Sequence, residues 1–79
     1  MTAKNQELAR VFEEIGNLLL YLNENRFAAL SYLRYARLLR ELEEPIEEVA
    51  RRGGLESLPG VGEAIASKTR DYLASGSFA

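Results

Sequence analysis

The sequence predicts an all-α fold, a compact four-helix domain, from three observations. Apolar residues recur at helical spacing over long stretches, no segment alternates apolar and polar residues as a strand would, and Pro, Gly and Asn fall between the periodic stretches. A chain of 79 residues is expected to form one domain over residues 1–79, near the size at which a single core yields only about 3–5 kcal/mol of net stability.

Asn5 is the expected cap of the first helix. Leu8, Val11, Phe12, Ile15, Leu18, Leu19 and Leu22 then recur on one face, so this helix should reach about Leu22. Asn23-Glu24-Asn25 breaks the pattern, and Asn25 can cap a second helix from about Arg26 to Leu42, buried through Ala29, Tyr32, Ala36 and Leu39. Pro45 suits the first turn of a helix, where its missing N–H costs nothing, and Gly53-Gly54 ends the short third helix near Arg52. After a turn at Leu55 to Leu58, the residues Ala64, Ile65, Lys68, Tyr72 and Leu73 fit a last helix ending near Gly76.

The segment Leu58-Pro59-Gly60-Val61-Gly62, followed at once by a helix, has the form of a helix-hairpin-helix motif. Gly60 and Gly62 are expected to supply positive φ and close backbone approach, and Val61 to plug the space between two helices. The N–H groups at the start of the next helix can then face a phosphate. Such a hairpin holds a DNA backbone without reading bases. Glu63 works against this by placing a carboxylate at the same positive end. The bland alternative is a tight interhelical turn with no ligand. Leu58, Val61, Ile65 and Leu73 are expected to share a core with Phe12 and Ile15.

Composition narrows the chemistry. The chain has neither cysteine nor histidine, which excludes a thiolate metal site, a disulfide framework and a histidine-based triad. No metal or cofactor is expected, and any catalysis must use lysine, tyrosine or carboxylates. Ten Lys and Arg against twelve Asp and Glu give a net charge of −2, against the basic balance usual for an autonomous nucleic-acid binder. The longest apolar run, Leu18 to Leu22, is too short to span a bilayer, and no basic segment precedes it. A cytoplasmic location and no membrane partner are expected.

From Asn5-Gln6-Glu7-Leu8 through Phe12-Glu13-Glu14-Ile15, Phe27, Tyr32 and Ala36 to the hairpin, the sequence resembles the N-terminal domain of bacterial family X DNA polymerases. The resemblance covers nearly the whole chain. It implies a domain that binds gapped DNA through the hairpin, here Gly60, Val61 and Gly62. In some members a lysine on the following helix forms a Schiff base and removes a deoxyribose phosphate, and Lys68 stands at that position. The 79 residues leave no room for the polymerase catalytic core, so polymerisation is not expected.

The departures from the family pattern lie where the cations should be. The family reads Asn-Pro-Phe-Arg-x-Arg-Ala-Tyr at the start of its second helix, and Arg26, Ala28, Leu30 and Ser31 stand here at its second, fourth, sixth and seventh positions. Two cationic contacts have thus become Ala28 and Leu30, which lowers the counterion-release contribution to DNA affinity. A lysine nucleophile needs cationic neighbours or burial to lose its proton, yet the family's second lysine, one turn before Lys68, is Ala64. Lys68 is therefore the one catalytic candidate and is expected to be a solvated lysine.

The second helix also looks too apolar for a two-layer domain. Leu30 and Leu33 fall among Arg34, Arg37, Arg40 and Glu41, Tyr35 and Leu38 widen the apolar arc, and on the first helix Leu20 lies off the main stripe. Either the second helix is buried on more than one side, or these residues form an exposed patch for a partner. The second option gives an interface of Leu20, Ala28, Leu30, Leu33 and Tyr35 with Arg34 and Arg37 at its edge. On this reading the chain is a non-catalytic protein-binding module, a DNA-binding scaffold turned to a protein partner by divergence or by engineering. The alternative is a DNA-binding domain with a residual lyase lysine.

Overall fold

Two asparagines set the junction between the first two helices. In the computed structural model, which describes residues 3–76, α1 spans Ala3–Tyr21, α2 Arg26–Glu41, α3 Ile46–Arg51 and α4 Glu63–Ser75, with a single 3₁₀ turn at Leu55–Ser57. No strand occurs among the described residues, as the absence of two-residue alternation predicts. Asn25 caps α2 as expected, its Oδ1 accepting from the Ala28 N–H at 3.0 Å. Asn23 ends α1 in the left-handed region at φ 55°, which asparagine tolerates.

Asn5 has a different job from the expected one. It lies inside α1 with its side chain fully buried, and what it caps is α3. Its Oδ1 accepts from the Ile46 N–H at 2.8 Å, while Nδ2 donates to the Glu44 carbonyl at 2.9 Å. An N–H at the start of a helix lacks an intrahelical acceptor, and here the acceptor comes from another helix.

One buried cluster draws on every helix: Leu8 and Phe12 of α1, Tyr35, Ala36 and Leu39 of α2, Ile46 and Val49 of α3, and Ile65 and Tyr72 of α4, with Leu55 and Val61 between. Ile15, Leu58 and Leu73 pack at its margin, so the expected hairpin core is present. Phe12 sits at its centre, 4.9 Å from the Tyr35 ring edge-on and 5.8 Å from Tyr32. The Cα radius of gyration is 11.7 Å, close to the ~11.6 Å expected of a compact chain of this length.

The contact between α1 and α2 is close because Gly16 has no side chain. A Cβ there would stand 2.8 Å from Leu33 Cγ and 3.0 Å from the Ala29 carbonyl oxygen. On its other side α2 meets α4, where the buried Tyr35 hydroxyl and Thr69 Oγ1 share a hydrogen bond of 2.9 Å. Helix α2 is thus buried on two sides, which removes much of its apparent apolar excess. Among the described residues no helix is long and apolar enough to cross a membrane.

Candidate functional site

The hairpin turn is built from Leu58 to Val61. The Val61 N–H donates to the Leu58 carbonyl at 3.2 Å, and Gly60 between them has φ +76°, the conformation that the third residue of a type II turn requires. Val61 is buried and joins the core, as the plug role predicts. Gly62 departs from expectation: its φ of −97° and ψ of −173° are ordinary extended backbone. Neither backbone conformation nor packing within the protein requires glycine here, since a Cβ would meet nothing within 4 Å.

Gly62 also caps α4 and, having no side chain, makes no side-chain cap hydrogen bond. The first intrahelical bond is from the Ala66 N–H to the Gly62 carbonyl at 3.0 Å, so the preceding amides at the helix start have no acceptor within the helix. Gly62, Glu63 and Ala64 are exposed. They present a positive helix end to solvent, with the Glu63 carboxylate alongside it.

Two grooves flank the turn, and Gly60 lines both. The first, about 360 Å³, runs between the start of α2 and the start of α4. Phe27, Ala28, Ser31 and Tyr32 line one wall, and Gly60, Gly62, Ala64 and Ile65 the other. Phe27 stands at its rim, 80% exposed. Ala28 and Ala64 therefore converge on one cavity, and no charged residue lines its walls. Lys68 is half-buried on α4 and lines neither groove.

The second groove, also about 360 Å³, lies on the other side of the turn, between Pro59-Gly60 and the face of α2 carrying Arg34, Arg37, Leu38 and Glu41. Arg37 and Glu41 form an exposed ion pair at 3.6 Å. Both arginines, expected at the edge of an apolar protein interface, are instead placed beside the hairpin. Glu41 was not expected at a site, although its spacing of four from Arg37 makes the pair legible in sequence.

The matching of turn, plug and bare helix start to a known module is borne out by comparison: the sequence matches the helix-hairpin-helix domain over residues 3–78. The chain belongs to the helix-hairpin-helix family. Among curated proteins none matches the sequence.

The expected apolar patch of the helix-hairpin-helix domain is not where its residues were placed. Tyr35 is only 2% exposed and hydrogen-bonded to Thr69, so it is no surface anchor. Leu33 lies against Gly16 in the α1–α2 seam, and Leu20, Ala28 and Leu30 are half-buried. Among the described residues, the large apolar side chains most open to water are Leu18, Tyr21 and Leu22 near the end of α1 and Phe27 near the start of α2. Periodicity puts Leu18 and Leu22 on the apolar face of the first helix, but a periodic stripe shows which face is apolar and not how far along it the covering elements reach.

Proposed function

We propose that this helix-hairpin-helix domain binds the phosphate backbone of DNA without reading its bases, and performs no chemistry on it, in the manner of the family X polymerase N-terminal domain that its sequence resembles. The observation that carries this reading is the hairpin itself: an uncapped start of α4 beside a Gly62 whose missing side chain leaves open space. Backbone amides at a helix start bind anions through both hydrogen bonds and the helix dipole. A phosphate approaching them needs the room that a side chain at residue 62 would fill. The net charge of −2 makes the expected affinity modest and strongly salt-dependent.

Gly62→Ala tests this reading cleanly, because the substituted Cβ meets nothing in the protein and the backbone there suits any residue. Stability should hold or rise by about 0.4–1 kcal/mol through the unfolded chain. Affinity for a labelled gapped duplex, measured by anisotropy at low salt, should fall. Unchanged affinity at unchanged melting temperature would show that DNA does not use the hairpin.

A second reading, a protein partner at the α1–α2 corner, is favoured by the exposure of Leu18, Tyr21, Leu22 and Phe27. Exposed apolar side chains gathered at one end of a domain suit a protein interface. Leu18→Glu and Leu22→Glu should leave the helical fold intact while abolishing any self-association seen by sedimentation of the parent. If the parent is monomeric at all concentrations, self-association through this corner is excluded.

A further inference from the structure

We propose that Arg34 and Arg37, facing Pro59-Gly60 across the second groove, form a second phosphate subsite beside the hairpin, and that Glu41 holds its affinity down by competing for Arg37. The inference rests on the DNA-backbone reading above and extends it by assigning the cations that the first groove lacks. The first groove has Ala28 and Ala64 in its walls and no charged residue lining it. The second carries two arginines and one glutamate. Gly60 lines both grooves, so a strand held by its phosphate at the α4 start runs onto the arginine side by crossing one turn residue.

The charges favour an anionic ligand over a basic surface. Arg34 is exposed and forms no ion pair among the described residues, and Arg37 is exposed and paired with Glu41 at the long distance of 3.6 Å. An exposed pair of this kind is weak and easily exchanged, and a guanidinium binds a phosphate in two-point geometry. Leu38 and the buried Tyr35, which also line the groove, offer no competing carboxylate. Glu41 is therefore the one anion lining the groove, and it already occupies the position of a ligand for Arg37.

The experiment titrates the full chain with a labelled gapped duplex over a series of salt concentrations. Arg34→Gln and Arg37→Gln should each weaken binding and reduce the slope of log affinity against log salt by about one. Glu41→Gln should strengthen binding at low salt on the order of two- to five-fold, the worth of an exposed ion pair. In the Arg37→Gln background Glu41→Gln should have no such effect, which distinguishes competition for Arg37 from a general change of charge. Circular dichroism of each variant should match the parent, since all three side chains are exposed.

Arginine variants whose salt slopes match the parent overturn the subsite. A Glu41→Gln gain that persists without Arg37 overturns the competition. If binding is lost in Gly62→Ala but indifferent to Arg34 and Arg37, the hairpin reading stands and this inference fails alone. If neither the parent nor Glu41→Gln binds DNA at any salt concentration, both fail together.

Discussion

Replacing Tyr35 by Phe removes one hydroxyl whose buried partner is Thr69 Oγ1 at 2.9 Å, while Thr69 keeps its hydrogen bond to the Ile65 carbonyl. Loss of a buried neutral hydrogen bond of this kind should cost about 0.5–1.5 kcal/mol, measured as a shift in urea midpoint. The variant should also change the response to alkali. Burial pushes the Tyr35 hydroxyl above its ordinary value of 10.0, and the Thr69 hydrogen bond offsets part of that. The unfolded chain therefore ionises first: Tyr35 contributes its full stability below pH 10.0 and loses it as pH rises toward the folded value. Tyr35→Phe should flatten this alkaline decline, and an unchanged decline would place its origin elsewhere. Tyr72, whose hydroxyl is raised by donating to Glu7, is the other group expected to act in the same direction.

Between elements, the decisive contact is the α1–α2 seam at Gly16. Alanine is ordinarily the better helix residue by about 0.5–1 kcal/mol, so propensity alone predicts that Gly16→Ala stabilises the protein. The neighbours reverse the sign, because one of the atoms a Cβ would meet is the Ala29 carbonyl oxygen at 3.0 Å, part of a helix backbone that cannot rotate away. We expect a loss of about 1–3 kcal/mol, as for other overpacked sites, and a lower melting temperature. A melting temperature at or above the parent's would mean that the two helices can separate at little cost. The same seam explains Leu33, whose side chain fills the space that Gly16 leaves. It would look out of place on a wheel drawn for α2 alone.

At the scale of the molecule, the distribution of charge matters more than its sum. Five of the ten cations, Lys4, Arg37, Arg40, Arg51 and Arg52, are each ion-paired with a glutamate, and Arg34 and the weakly paired Arg37 are the two that stand beside the hairpin. The same distribution bears on lyase chemistry. A Schiff base at Lys68 needs the sugar phosphate held next to it, yet Lys68 lines neither groove and the cavity between α2 and α4 is walled by Ala28 and Ala64. Borohydride treatment with a 5′-phosphorylated abasic substrate should therefore trap no adduct. Trapping that disappears in Lys68→Ala would restore a catalytic role.

The helices, the Asn25 cap, the Gly60 turn and the Val61 plug were legible in the residues because each depends on neighbours within a few positions: periodicity, capping oxygens and backbone freedom are local properties. Asn5 was legible as a capping residue type, but its Oδ1 serves Ile46, forty-one positions away, and no local rule finds such a partner. Exposure was the least legible property. Tyr35 and Leu33 looked like surplus apolar residues until α4 and α1 were seen to cover them, and Arg34 and Arg37 belonged to a helix face until Pro59 and Gly60 were brought opposite. Burial and convergence depend on where distant segments pack, and only the tertiary structure decided them.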